Sequence, residues 1–189
     1  ETHMGDVAER LYGSMVTEDW GVDFYRSTDG NLYAAVASPL ASEYRELRCF
    51  LTLPEQMANE EFYNNVVTYF HDLFGHDGLA ISYPGRLDEH ISVTFHDYYY
   101  FDSNRDPVLL ARVHGTEPAI LDLDGDGTNE LLSDGDGTSG GAQLIFQRDG
   151  QLYEANLTDL LQAAWPEMTW WDYSSIDTSR RCLTIVGMV

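Results

Sequence analysis

The chain has 189 residues, 43% of them hydrophobic and 13% aromatic, which is enough to build a real core and argues against intrinsic disorder. All ten basic residues are arginine, against thirty-two acidic ones, for a net charge of −22. That balance excludes nucleic-acid binding through a phosphate-neutralising surface, and docking on anionic lipid through a basic patch. No apolar run approaches the roughly 18 residues of a membrane span, no secretory leader is read, and Glu1–Met4 reads as a cloning scar.

The elements follow in chain order. Val7, Ala8, Leu11, Tyr12, Met15 and Val16 recur at helical spacing and predict an N-terminal helix. A hairpin is expected next, Val22–Arg26 with Leu32–Ala37, because Asp29-Gly30 supplies the positive φ of a tight turn. Tyr44–Leu53 reads as a strand. A longer helix is predicted over 54–74. Thr52 and Glu55 offer a capping box, Asn59 offers a second start, and Pro54 is tolerated in a first turn. Phe62, Val66, Phe70 and Leu73 supply its stripe and Gly75 its stop.

Strands are then expected at 79–83 and 90–100. From Pro107 onward short strands alternate with turn signals: 108–114, 119–122, 130–132, 142–147 and 152–156, with Asp149-Gly150 as a strong hairpin turn. A short helix capped by Thr158 ends before Pro166, and strands at 169–173 and 182–186 close the chain. The expected fold is α+β: mainly antiparallel sheet with a C-terminal meander, an N-terminal helix and one longer helix. No linker divides the chain, so residues 1–189 read as one domain with a soft seam near 103–106.

Cys49 and Cys182 both lie in apolar, strand-like surroundings. One disulfide suits an exported protein, and two buried free thiols suit the same surroundings. Neither spacing nor neighbouring histidines suggest zinc.

The informative stretch runs from Ile120 to Leu132. Counting Asp122 as position 1, carboxylates stand at positions 1, 3, 5 and 9 (Asp122, Asp124, Asp126, Glu130) and Gly127 at position 6. Calcium takes six to eight oxygens at about 2.3–2.6 Å in a flexible cage, whereas magnesium demands tighter octahedral geometry. Alternate residues of a curled loop point inward, and the glycine allows the carbonyl of Thr128 to join them. Four acids in nine residues repel one another unless a divalent ion holds them. An EF-hand needs a bidentate acid at position 12 and flanking helices; here position 12 is Ser133 and the flanks read as strands.

On Asp122, Asp124, Asp126, Gly127 and Glu130, followed by Leu131-Leu132, the loop resembles the FG-GAP or VCBS repeat of integrin α-subunit propellers and bacterial surface proteins. The resemblance covers roughly residues 119–156, one repeat. It implies a strand-loop-strand that binds calcium, with Asp122, Asp124, Asp126 and Glu130 as side-chain ligands and Thr128 as a carbonyl ligand. The chain departs from that pattern in having Glu130 where Asp is usual and only one copy, so a propeller is not implied. A second Asp-Gly-Asp-Gly-Thr run at 134–138 reads either as a further ligand source or as a glycine-rich turn.

Other chemistry is poorly signalled. His90 and His96 share a strand face, but Ile91, Val93 and Phe95 read as the core face, leaving both histidines at the surface. No nucleophile elbow or phosphate loop is present. Tyr98–Phe101 and Trp165, Trp170, Trp171 and Tyr173 read as packing, or as a surface for a glycan or protein partner. The leading expectation is a non-catalytic, exported or cell-surface binding or scaffold domain with structural calcium and an unknown protein or glycan partner. A secreted hydrolase on a glycan or peptide is the alternative, and a high-salt cytoplasmic protein the third reading.

Overall fold

The computed structural model describes residues 7–15, 21–28, 32–37, 45–51, 67–87, 91–104, 107–115, 118–135, 141–168, 170–177, 179–180 and 182–188. Among these are fourteen strands and one helix, so the protein is mainly β. β1 (Val7–Met15), β2 (Gly21–Ser27), β3 (Leu32–Ala37) and β4 (Arg45–Leu51) form an antiparallel sheet in sequence order. β5 (Val67–Leu73), β6 (His76–Arg86), β7 (Ser92–Phe101) and β8 (Pro107–His114) form a second sheet, also in sequence order. β9 (Ala119–Leu121), β10 (Glu130–Ser133), β11 (Gln143–Arg148) and β12 (Gln151–Asn156) make an antiparallel meander. Helix α1 (Leu157–Ala164) follows, and β13 (Trp170–Asp177) pairs with β14 (Cys182–Met188). No described helix is long and apolar enough to cross a membrane.

Both of the longer predicted helices are corrected. The N-terminal helix is strand β1, and the register explains the misreading. β1 slips against β2 between Val7 and Glu9 and again between Arg10 and Tyr12. Each slip breaks the two-residue alternation that marks a strand, leaving a spacing close to a helix's. The helix expected over 54–74 is also overturned in its last third, where residues 67–73 are β5; residues 54–66 lie outside the described residues. Val67, Phe70 and Leu73 are buried at intervals of three. In a strand that interval alternates faces, so both faces of β5 are covered. Gly75, expected to stop a helix, instead turns β5 into β6 with φ +78.

The chain divides into two compact units, the first comprising Glu1–Phe70, Gly78–Gly85 and Asp97–Leu110, the second His71–Asp77, Arg86–His96 and Ala111–Val189. In the first, Phe24, Val67, Phe70, Leu79, Ile81, Tyr98 and Tyr99 are buried, and the Phe70 and Tyr98 rings meet edge to face at 5.4 Å. Burial holds the Tyr98 hydroxyl well above its ordinary pKa. Buried Asp97 accepts hydrogen bonds from the hydroxyls of Tyr83 (3.2 Å) and Tyr99 (3.3 Å), which meets the requirement that a buried polar group be paired. Gly78 is required by close approach, since a Cβ there would collide with the carbonyl oxygen of Tyr99.

In the second unit Leu73, Val113, Leu131 and Leu132 are essentially inaccessible, and each contributes roughly 1.5–3 kcal/mol by burial. Ala119, Leu121 and Leu132 form a cluster against which Leu123, Leu144 and Leu157 pack. That cluster lies at the roots of β9 and β10 and holds in place the loop between them. Asp149 and Gly150 both take positive φ (52 and 74), as a two-residue hairpin turn requires. The cap of α1 is Asn156, not Thr158: the Asn156 Oδ1 accepts the amides of Thr158 and Asp159 at 2.9 and 3.3 Å.

Candidate metal centre

The loop from 122 to 129 connects β9 to β10, so both flanks of the acidic run are strands. Its curl is built from side chains to backbone. The Asp122 carboxylate accepts the amides of Gly125 at 2.7 Å and Gly127 at 3.3 Å. Asp124 accepts the amide of Asp126 at 3.0 Å, and Asp126 that of Thr128 at 2.7 Å. The Asp124 and Asp126 bonds are Asx turns, local bonds that Asp forms readily with its own backbone two residues on, while Asp122 reaches three and five residues along the loop. Gly125 and Gly127 carry φ +82 and +91, and a Cβ at either would meet nothing within 4 Å. Glycine is required there by backbone conformation, not by space.

Glu130 is different in kind. It opens β10 opposite Leu121 and is only 5% exposed, and its Oε2 accepts the Leu123 amide at 2.7 Å. Its carboxyl is pushed above the ordinary range, first by burial and then by the charges of Asp124, Asp126 and Asp122; the Leu123 amide opposes the shift. The fold thus sets a buried acid beside the half-buried Asp122 and the exposed Asp124 and Asp126.

Carboxylate oxygens of Asp122, Asp124 and Glu130 lie within 4.8 Å of one another. Two oxygens on one calcium can be no farther apart than twice the metal–oxygen distance, about 4.6–5.2 Å, so the three fit a single ion of that size. The donors are all hard oxygens, which suits calcium and not the softer transition metals. Asp126 falls outside this group of three, and Thr128 enters the loop's bonding through its amide. Of the second acidic run only Asp134 and Gly135 are described, and residues 136–138 lie outside the described residues. Ser133, at the position where an EF-hand needs its acid, is buried, and its Oγ donates to the carbonyl of His114.

A further contact was not foreseen. Asn129 forms a parallel bridge with Leu73, and its Nδ2 donates to the Asp72 carbonyl (2.9 Å) and carboxylate (3.3 Å). The Asp72 amide in turn donates to Asp77 at 2.9 Å. The β5–β6 turn therefore clamps the loop from outside. Its local signal was Gly75, which read as a helix stop.

No protein family, curated protein or solved structure matches this chain. The arrangement of residues carries the functional reading.

His96 is buried, not at the surface as expected, and its Nε2 lies 3.1 Å from the carbonyl of Gly115. β7 is covered on both faces from His96 to Tyr99, so alternation there does not separate a surface face from a core face. His90 lies outside the described residues. Cys49 falls on β4 and Cys182 opens β14.

Proposed function

We propose that this chain is a non-catalytic, exported or cell-surface binding or scaffold domain in which the 122–130 loop holds a structural calcium ion. The observation that carries this reading is the convergence of Asp122, Asp124 and Glu130 within one ion's reach, with Glu130 buried and its charge disfavoured. Asp126 and the carbonyl of Thr128 would complete the ligand set from the same loop. The ion would supply positive charge where four acids crowd, pinning the turn from β9 to β10. The resemblance to the FG-GAP or VCBS loop supports the same assignment through its residue pattern, now set between two strands. The net charge of −22 favours surroundings rich in divalent cations.

Thermal unfolding in calcium against chelator tests the proposal. A site that binds only the folded state adds about 2.7 kcal/mol at a hundredfold excess over its dissociation constant. For a chain of this size that is on the order of 5–11 °C in Tm. The rise is expected with calcium and not with equal magnesium, and it disappears in Asp124→Asn/Glu130→Gln. Equal melting in calcium and chelator sinks the ion, and with it the basis for an exported setting.

A further inference from the structure

The meander β9–β12 has β12 as its last strand. In strand order β12-β11-β10-β9, β12 pairs with β11 on one side, in continuous register from Arg148↔Gln151 to Gln143↔Asn156. Among the described residues no strand pairs with its other side. Gln151, Leu152, Tyr153 and Glu154 are all exposed, so neither face of the strand is covered over these four residues. Leu152 is 40% exposed and Tyr153 43%. Tyr153 is held on the sheet by stacking on Phe146, with ring centroids 5.5 Å apart, and by donating to Gln151 Oε1 at 3.1 Å.

Proteins usually blunt such an edge with proline, lysine, a bulge or brevity. β12 has six residues, no proline, no lysine and no register shift. What it has is negative charge. Asp149, Glu154, Asp159 and Glu167 are exposed along the hairpin turn, the strand, α1 and the turn after it. From 149 to 179 the sequence contains no basic residue; Arg148, at the mouth of the hairpin, is the nearest before that stretch.

We propose that β12 is a docking edge for an extended, basic segment of a partner protein, which adds to the meander as a fifth strand. Main-chain hydrogen bonds to the open edge would supply affinity. Leu152 and Tyr153 would contact the aliphatic side chains of the incoming strand, and the acidic rim would select arginine or lysine at its alternate positions. A second copy of the chain is disfavoured as the occupant, because it would bring a second acidic rim and a second charge of −22 against the first. The inference gives the proposed binding role a surface and a partner chemistry; it rests on that role and not on the ion.

The test uses the full chain and three ten-residue peptides: alternating valine and arginine, alternating valine and glutamate, and the valine–arginine peptide N-methylated at every second residue. N-methylation keeps the charge and removes one edge's donors. The valine–arginine peptide is expected to bind at least about tenfold more tightly than either other peptide, a difference of about 1.4 kcal/mol. It should also slow hydrogen exchange of amides within 151–156, and Glu154→Arg should weaken it about tenfold. No binding, or equal binding of the N-methylated peptide, overturns the proposal, the latter by showing charge adhesion alone. So does protection of 151–156 without peptide in a sedimenting dimer, which would assign the edge to a second copy. The calcium melt is read separately, so the ion and the edge can fail independently.

Discussion

Glu130 lies under two opposed demands: the fold buries its carboxyl, while three neighbouring acids resist its ionisation. Its folded-state pKa is raised. The stability it contributes is therefore fully present below its unfolded pKa and is lost as pH rises through the folded value. A bound divalent ion reverses that by favouring the ionised form. Glu130→Gln keeps an acceptor for the Leu123 amide and removes the charge. In chelator above the carboxyl range it is expected to melt higher than the parent chain, and in calcium lower. Melting curves in both conditions check this, and an equal loss in both would reduce Glu130 to a packing residue. Gly150 gives a second residue-scale prediction. A Cβ there meets nothing, but φ is +74, so Gly150→Ala costs backbone conformation alone, about 1–2 kcal/mol. That corresponds to a drop of roughly 2–8 °C in Tm, and an unchanged Tm would show that the turn tolerates a left-handed alanine.

At the scale of elements, the acidic loop depends on a turn from elsewhere in the chain. Asn129 reaches Asp72 fifty-seven residues away in sequence, and Leu73 bridges to Asn129. Asn129→Ala removes two side-chain hydrogen bonds, each contributing roughly 0.5–1.5 kcal/mol, and leaves every proposed side-chain ligand in place. It is expected to weaken calcium binding several-fold by loosening the loop; calorimetric titration showing parental affinity would confine the clamp to stability. The same scale explains where pattern reading succeeded and where it broke. The strands β8–β12 were legible because their runs are short and bounded by Asp-Gly and Gly-rich turns. β1 and β5 were not, because register slips in one and burial on both faces of the other produce helix-like spacing.

At the scale of the whole molecule, a charge of −22 repels itself over distances that salt controls. The Debye length falls from about 30 Å at 0.01 M to about 8 Å at 0.15 M ionic strength. In chelator, Tm is expected to rise steadily over that range of monovalent salt, while the calcium effect saturates at fixed salt. A Tm indifferent to salt would mean that the charges are spaced widely enough not to matter. Such a dependence also separates a specific ion at 122–130 from diffuse screening, because Asp124→Asn/Glu130→Gln abolishes only the first.

The sequence by itself determined what short-range chemistry controls. Asp-Gly turns fix their own backbone angles, alternating runs make strands, and the spacing of Asp122, Asp124 and Asp126 folds the loop on itself through local side-chain-to-amide bonds. Tertiary structure decided what depends on partners distant in the chain. It turned the helix-like spacing of β1 and β5 into strands, because each pairs with a neighbouring strand and β5 buries Val67, Phe70 and Leu73. It buried His96, and it turned Glu130 from one acid in a ladder into a charge that burial disfavours. It also brought Asn129 against the β5–β6 turn and, among the described residues, left the outer side of β12 without a paired strand. Burial and strand pairing are properties of what lies opposite a residue, and no local pattern contains that.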